Sequence, residues 1–455
     1  MFSVGTGPSG QWQVDDIWFR GPPPYTQVKN MLFLRTGDAK ALEKVGSNAP
    51  IHNGDAELII GSKKGGSMDF ALTDDQELIR SAVAKVCADY PDEYWAEKDQ
   101  NHDFPWDFYH AMANAGWIGT AIPEAYGGSG MGITEASIVL EEVAASGAAM
   151  NGATPLHLSM FGMEPVVKYG SEEMKQTYLP RVAAGELHVA FGVTEPDAGT
   201  DTTSITTAAR REGDEYIVKG RKVWTTKALQ SERVLLLVRT TPKDKVARRT
   251  DGMTLLLAEL QRDEVSISPI DKVGRNAVAT CEVVYDNLPV KVTDRVGEEG
   301  KGFSYLISGL NAERILIAAE ALGIGKAALR RAVNYANERV VFGRPIGKNQ
   351  GVAFPLAEAK MRLDAAELMI RKASWMLDND MPCGAEANMA KWLAADAGFL
   401  AADQAVQTHG GFGYAREYHV ERYWREARLM KIAPISQEMI QNFVSEHVLD
   451  LPRSY

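Results

Sequence analysis

Glu313 and Arg314 place a carboxylate beside a guanidinium within a run of sequence that has helical periodicity. Leu310 precedes the pair, and Ile315 and Leu316 follow it, so the neighbouring residues are apolar. On a surface helix such residues would form a solvated ion pair, whereas apolar neighbours favour partial burial. An enclosed apolar pocket raises the pKa of a carboxylate toward neutral pH, where it becomes a more effective base. The pair is therefore a candidate site for proton transfer.

Two further segments could contact a ligand. Residues 191–201 read Phe-Gly-Val-Thr-Glu-Pro-Asp-Ala-Gly-Thr-Asp, in which Gly199 would let backbone N–H groups approach an anion and Pro196 would stiffen the turn. An ordinary turn at a strand end is the alternative. Residues 219–226 contain Trp224, and a strand tryptophan belongs more often to the core than to a cofactor site. The closeness of the two segments along the chain favours a shared ligand.

The elements that must position these residues fall into three blocks. Residues 68–187 show helical periodicity, with a turn predicted at Gly152–Pro155. Residues 188–300 change to short β-rich runs such as Val234–Val238, parted by Gly, Asp, Asn and Pro. Helical periodicity returns over residues 301–455. The sequence thus predicts an N-terminal helical domain, a middle β domain and a C-terminal helical domain.

Residues 1–67 are rich in Gly and Pro and lack this periodicity, so they are predicted to be an irregular extension. Met68 opens a second start, with Thr73 or Asp74 able to cap the helix that follows. The extension could be native, a cloning extension or the product of a mis-called start. A mis-called start is considered because codons for Lys63–Ser67 can resemble a bacterial ribosome-binding sequence. Gly5–Gly10 matches G-x-G-x-x-G, but no strand precedes it, so the match is attributed to chance.

Composition narrows the class of protein. The 455 residues carry a formal charge of -11, which disfavours nucleic acid as a partner, and no apolar run is long enough to predict a membrane span. Three widely separated cysteines predict neither a disulfide framework nor a thiolate metal site. Together these features predict a cytoplasmic bacterial protein without a metal centre.

Four separated motifs from Met68 onward resemble those of the acyl-CoA dehydrogenases. The segments 191–201 and 219–226 resemble the Thr-Glu-Pro-x-Ala-Gly-Ser-Asp signature and the Asn-Gly-x-Lys-x-Trp-Ile-Thr strand of that family. Arg339-Val-Val-Phe-Gly-Arg-Pro-Ile and Gln407-Thr-His-Gly-Gly-Phe-Gly-Tyr resemble two of its C-terminal motifs. The resemblance implies an α+β acyl-CoA dehydrogenase-like fold, with a β-barrel or sandwich between the helical domain and a C-terminal four-helix bundle.

The resemblance also implies that the protein is a flavoprotein that binds FAD. One set of residues would surround the isoalloxazine, and a second would reach the adenosine diphosphate half across a subunit interface. These residues are Phe191, Val193, Thr194, Gly199, Thr200, Trp224 and Thr226, and then Arg339, Phe342, Gln350, Gln407, Gly410 and Gly411. Arg314 and Thr200 would contact the CoA portion of the substrate. His409 is interpreted as a structural residue.

The resemblance does not place the base at the position most common in the family. Many members use a glutamate that begins Glu-Gly-Thr, and Pro434 occupies that place here. Isovaleryl- and long-chain-type members instead take the base from the residue before the helix arginine, which corresponds to Glu313. Glu438 is the reserve candidate.

The implied reaction is α,β-dehydrogenation of an acyl-CoA in fatty acid or branched-chain acyl-CoA catabolism, with electrons passing to an electron-transferring flavoprotein. Glu313 would abstract the α-proton while flavin N5 takes the β-hydride. The alternatives are an enoyl-CoA reductase, an oxygen-using flavoprotein or a non-catalytic flavin-binding partner protein. A homo-oligomer is expected, with a tetramer favoured.

Overall fold

The computed structural model describes residues 71–454. The predicted extension over residues 1–67 and the second start at Met68 lie outside the described residues. The chain first forms helices, then strands and then helices again. The first helices are α1 (Asp74–Cys87), α2 (Asp92–Asn101), α3 (Trp106–Asn114), α4 (Ile133–Val143), α5 (Ala149–Gly162), α6 (Glu164–Tyr169) and α7 (Glu172–Ala183).

Local sequence explains where α1 begins. The hydroxyl of Thr73 accepts a hydrogen bond from the Gln76 backbone N–H, and the Gln76 side chain accepts one from Thr73 N–H. This reciprocal arrangement is a capping box, and it satisfies donors that the first turn leaves free. Of the two caps predicted, Thr73 is the one used.

The turn predicted at Gly152–Pro155 is wrong, because both residues lie inside α5. The chain turns earlier, at residues 144–148, where Gly147 has φ of 116°. Glycine is needed at position 152 because an added Cβ atom would lie 2.6 Å from the Ala148 side chain and 2.9 Å from Trp95. Close helix packing, and not chain reversal, accounts for Gly152.

The middle of the chain forms one eight-stranded sheet. Its strands are β1 (Val189–Gly192), β2 (Ala208–Glu212), β3 (Glu215–Thr226), β4 (Arg233–Arg239), β5 (Met253–Glu259), β6 (Val265–Pro269), β7 (Thr280–Lys291) and β8 (Arg295–Val296). Their order is β6-β7-β3-β2-β4-β5-β8, with β1 parallel to β4.

Alternate residues of β4 face two different cores. Leu235 and Leu237 pack with α6 and α7, whereas Val234, Leu236 and Val238 face a core made by the sheet itself. The sheet therefore curls around its own apolar interior.

The C-terminal part is built on long helices that share one core with α1–α5. Alanine and glycine allow close approach, since a Cβ atom at Gly323 would lie 2.4 Å from the Glu141 carbonyl oxygen on α4. The shared core brings α8 against α5, which matters for the site. The elements are α8 (Gly302–Glu338), the two-residue strands β9 (Val340–Val341) and β10 (Arg344–Pro345), α9 (Gln350–Asp378), α10 (Gly384–His409), α11 (Val420–Met430) and α12 (Gln437–His447).

No helix within residues 71–454 combines the length and apolarity needed to cross a bilayer. Cys87, Cys281 and Cys383 are free thiols and all three are buried.

Candidate active site

Glu313 lies on α8 as a half-buried side chain and is not a solvated surface group. Burial raises the pKa of Glu313 to about 7, although the charges of His157 and Arg314 act in the opposite direction. A carboxyl with a pKa near 7 exists in both protonation states at neutral pH. Glu313 therefore has a pKa near neutral pH, as the sequence predicts for a base.

Glu438, the reserve candidate, is in a different environment. It is exposed in the first turn of α12, and hydrogen bonds from its own backbone N–H and from Ser436 lower its pKa. An exposed carboxylate with a lowered pKa is a weak base at neutral pH. The environment thus favours Glu313.

Arg314 extends from the same turn of α8 and is half-buried. One guanidinium nitrogen donates to Asn311 Oδ1 at 2.9 Å, whereas the buried Nε finds no hydrogen-bond partner among residues 71–454. Burial lowers the pKa of Arg314. A partly buried guanidinium with a free donor is suited to an anionic ligand.

The segment 191–201 is held against β3 by a buried ion pair. Lys222 Nζ lies 2.9 Å from Glu195 Oε1 and also donates to the Val193 carbonyl oxygen at 2.9 Å. Glu195 accepts further bonds from the backbone N–H groups of Thr206 and Thr207. Burial opposes ionisation of Glu195, but Lys222 and these bonds outweigh it and lower its pKa to about 2. The glutamate of the motif is therefore an anchor, and Val193 and Thr194 are fixed beside it.

Trp224 is exposed, contrary to the usual place of a strand tryptophan. The pairing of β3 with β7 shifts register between Lys222 and Thr225, and Trp224 has φ of 61° within this bulge. Its side chain is 56% exposed. A bulge re-aims a side chain at a local conformational cost, so the fold holds a large flat apolar surface outward.

The two residues after Trp224 point inward. Thr226 Oγ1 lies 3.2 Å from Thr280 Oγ1, and a guanidinium nitrogen of Arg275 donates to both hydroxyls at 3.1 and 3.0 Å. Arg275 itself has φ of 59°, and its buried Nε has no hydrogen-bond partner within the part of the chain that the structure describes. Phe191 is half-buried and lies 5.5 Å from the Phe161 ring on α5. Phe191 thus lies between the sheet and α5, whereas Thr226 is held against β7 and Arg275.

Gly199 and Thr200 are exposed at the end of the same segment. A Cβ atom added at Gly199 would meet nothing within 4 Å, so the backbone there is open to a ligand. The next residue, Asp201, accepts from Ser204 Oγ at 2.5 Å and from Arg249 at 2.9 Å, which fixes the turn. Hydrogen bonds from Ser204 and Thr203 lower the pKa of Asp201 to about 2.

The second predicted group lies around β9, β10 and the end of α10. Phe342 is fully exposed, at 100%, with φ of 52°, and Arg339 lies over the Phe412 ring at 5.8 Å. The group is exposed throughout and consists of Arg339, Phe342, Gln350, Gln407, Gly410 and Gly411. A recess of about 650 Å³ between α8 and α9 adjoins it and is lined by Ala336, Asn337, Gly347 and Ala353. His409 is buried, stacks on Tyr335 at 4.2 Å, and has its Nδ1 2.7 Å from the Ala405 carbonyl oxygen, as a structural residue would.

Sequence reasoning missed Arg275, His157 and Glu320, which the fold brings close to Thr226 and Glu313. Glu320 did carry a signal, because it is a lone carboxylate within an alanine-rich apolar run. The local sequence around His157 and Arg275 gave no such signal, since the residues that they contact come from other helices and strands.

Comparison with known proteins identifies the family. Residues 73–186 match the N-terminal domain of the acyl-CoA dehydrogenases, residues 190–288 the middle domain and residues 300–449 the C-terminal domain. The acyl-CoA dehydrogenase FadE12 of Mycobacterium tuberculosis is 38% identical over 394 residues, which is 85% of this chain and 99% of that protein. The chain belongs to the acyl-CoA dehydrogenase family, an oxidoreductase family whose members bind FAD.

Two other similar proteins are named for opposite reactions, one a reductase and one a dehydrogenase. The 3-(aryl)acrylate reductase of Clostridium sporogenes is 33% identical over 383 residues, covering 83% of this chain and 99% of that protein. The butyryl-CoA dehydrogenase structure from Megasphaera elsdenii has a TM-score of 0.80 at 30% identity, covering 84% of this chain and 100% of that one. The predictions of the fold class, the family, an oxidoreductase and an FAD cofactor are confirmed.

Proposed function

We propose that the protein catalyses FAD-dependent α,β-dehydrogenation of an acyl-CoA thioester, with Glu313 as the base. The observation that carries the proposal is the half-buried Glu313 carboxyl, whose pKa is raised to about 7 on a helix that packs against α5. The α-proton of a thioester is weakly acidic, so its removal needs a carboxylate with a pKa near the working pH.

The residues of this chain have separate tasks in the reaction. Glu313 accepts the α-proton at a carboxylate oxygen, and its half-buried position on α8 limits its contact with water. Arg314 and Thr200 hold the anionic CoA portion, for which Arg314 keeps an Nε that no described residue pairs with. When bound, FAD supplies the acceptor for the hydride that leaves the β-carbon.

The groups around Trp224 fit a flat aromatic cofactor. The exposed indole offers a stacking surface, Thr226 a hydroxyl held by Arg275, and Gly199 an open backbone. The residues proposed to hold the isoalloxazine half are Phe191, Val193, Thr194, Gly199, Thr200, Trp224 and Thr226.

A second copy of this chain is proposed to complete the site. The proposed contacts to the adenosine diphosphate half, Arg339, Phe342, Gln350, Gln407, Gly410 and Gly411, form an exposed group separate in sequence from the first. An apolar stripe on α9 supports self-association, because four exposed residues recur every seventh position: Phe354 (61%), Met361 (65%), Leu368 (49%) and Trp375 (55%). Replacing Leu368 by Glu should shift the sedimentation coefficient toward a smaller species and release FAD, whereas an unchanged coefficient would contradict this surface.

Anaerobic titration of the flavin absorbance tests the reaction. Purified protein is mixed with short, branched, cyclic and long saturated acyl-CoAs, and bleaching by one group is expected. Electrons are proposed to pass next to an electron-transferring flavoprotein, so the bleached protein should recover its absorbance when that partner is added. A yellow protein that no saturated acyl-CoA bleaches would overturn the proposal.

The reverse direction, reduction of an enoyl-CoA, is the second candidate. A carboxyl with a pKa of about 7 can donate a proton as readily as accept one near neutral pH. The similar 3-(aryl)acrylate reductase makes this direction worth testing. Reoxidation of chemically reduced flavin by an enoyl-CoA, without bleaching by the saturated thioester, would select it.

A further inference from the structure

Two buried ionisable side chains with no task in the proposed reaction lie near the base. His157 on α5 has its Nδ1 3.1 Å from Glu320 Oε1 on α8, and the two side chains are 6% and 0% exposed. Neither Glu320 oxygen meets hydrogen-bond geometry with any residue between 71 and 454, so this contact is a pairing of charges. A carboxylate buried in this way needs a cation beside it.

Helix packing places Glu313 and Glu320 on the stretch of α8 that packs against α5. Glu320 follows Glu313 by seven residues, which is close to two full turns, so both lie on one side of α8. At the other end of the contact, a Cβ atom added at Gly309 would lie 2.2 Å from Glu164 on α6 and 3.5 Å from Phe161 on α5. Since Gly309 meets Phe161 and Glu320 meets His157, Glu313 lies between these two levels.

The charges that act on Glu313 come from three helices. His157 on α5 and Arg314 on α8 favour its ionised form, whereas Glu320 on α8 and Glu164 on α6 oppose it. His157 is the cationic group that α5, the helix packed against α8, contributes.

The charges that act on His157 are those of Glu320 and Glu313 from α8, which raise its pKa, and that of Arg275 from the loop between β6 and β7, which lowers it. Burial opposes protonation of His157, but the Glu320 carboxylate outweighs it, so the pKa of His157 is raised. Glu320 therefore favours the charged form of His157.

We propose that His157, held in its charged form by Glu320, is a positioning residue that keeps Glu313 ionised near neutral pH. A buried carboxyl without a nearby cation would remain protonated and could not accept the α-proton. The imidazolium offsets part of that desolvation cost, and Glu320 offsets the cost of burying the imidazolium. This inference rests on the proposed role of Glu313 as the base and adds the groups that set its working pH.

The test is the pH dependence of anaerobic flavin reduction by the saturated acyl-CoA that bleaches the wild-type holoenzyme. In His157→Asn the midpoint of the rate should move upward by about 1 pH unit, because loss of an opposite charge that acts on a carboxylate raises the pKa of that carboxylate by this order. The limiting rate at high pH should be retained. Glu320→Gln should move the midpoint in the same direction but by less, because it removes the negative charge of Glu320 as well as support for the imidazolium.

His188→Gln is the matched control. His188 and His157 are equally buried, because each residue as a whole is 5% exposed. Burial lowers the pKa of His188 to about 3, so His188 is neutral at the pH of the assay. His188→Gln should therefore leave the midpoint unchanged. An unchanged midpoint in His157→Asn would overturn the inference. If His157→Asn does not retain FAD, an unchanged midpoint in Glu320→Gln would overturn it instead. Retained flavin reduction in Glu313→Gln would instead reject the base itself, which separates the two failures.

Discussion

Replacement of Glu313 by Gln should stabilise the protein while it abolishes flavin reduction. Gln keeps the shape of the side chain but cannot ionise, so the variant removes a charge that the fold buries. The unfolded chain would hold this carboxyl at its usual pKa of 4.5, whereas the folded protein raises the pKa to about 7. The folded state therefore binds the proton more tightly, and wild-type stability declines as the pH rises from 4.5 to about 7.

The size of the effect follows from the same values. A change from 4.5 to about 7 corresponds to an upper limit of about 3 kcal/mol at pH 8. Because the side chain is only half-buried, solvent screening reduces this to about 1–2 kcal/mol. Glu313→Gln should gain this amount at pH 8 and nothing at pH 4.5.

Chemical denaturation at the two pH values, at fixed protein and FAD concentrations, measures this difference. The expected result is a higher midpoint for the variant at pH 8, equal midpoints at pH 4.5, and no bleaching by acyl-CoA. Equal midpoints at both values would refute the raised pKa. Persistent bleaching would refute the role of Glu313 as the base.

Three further predictions concern the scaffold around the site. Trp224→Ala should weaken FAD binding by about 2 kcal/mol in an equilibrium titration, without loss of apoprotein stability, since the indole is exposed. Lys222→Met should lower the free energy of unfolding by about 3–5 kcal/mol because it leaves Glu195 buried without its cation, and adding Glu195→Gln should restore part of it. Burial lowers the pKa of Lys227 from 10.5 to about 7, so the stability of the wild-type protein should rise as the pH increases over that range. Lys227→Met should raise the free energy of unfolding, measured by thermal unfolding, by up to about 5 kcal/mol at pH 6, and this gain should shrink as the pH rises from about 7 to 10.5.

Local patterns predicted most of the elements. The short β-rich run Val234–Val238 predicted a strand, and the helical periodicity that begins after Met68 predicted the helix that Thr73 caps. These predictions succeeded because strands and helices each impose a characteristic spacing on the apolar residues of the sequence. The segment Gly152–Pro155 was misread because tertiary packing decides whether a helix continues through glycine and proline, and here Gly152 lets α5 approach Trp95 closely.

The sequence by itself determined the family, the order of helices and strands, and the candidate base, because motifs and periodicity are local properties. It could not determine that Trp224 projects outward, since that depends on the register of β3 against β7. Nor could it determine the environment of Glu313, because His157, Glu164 and Glu313 come from three different helices. Tertiary structure decided these features because burial and charge pairing depend on which distant residues the shared core brings together.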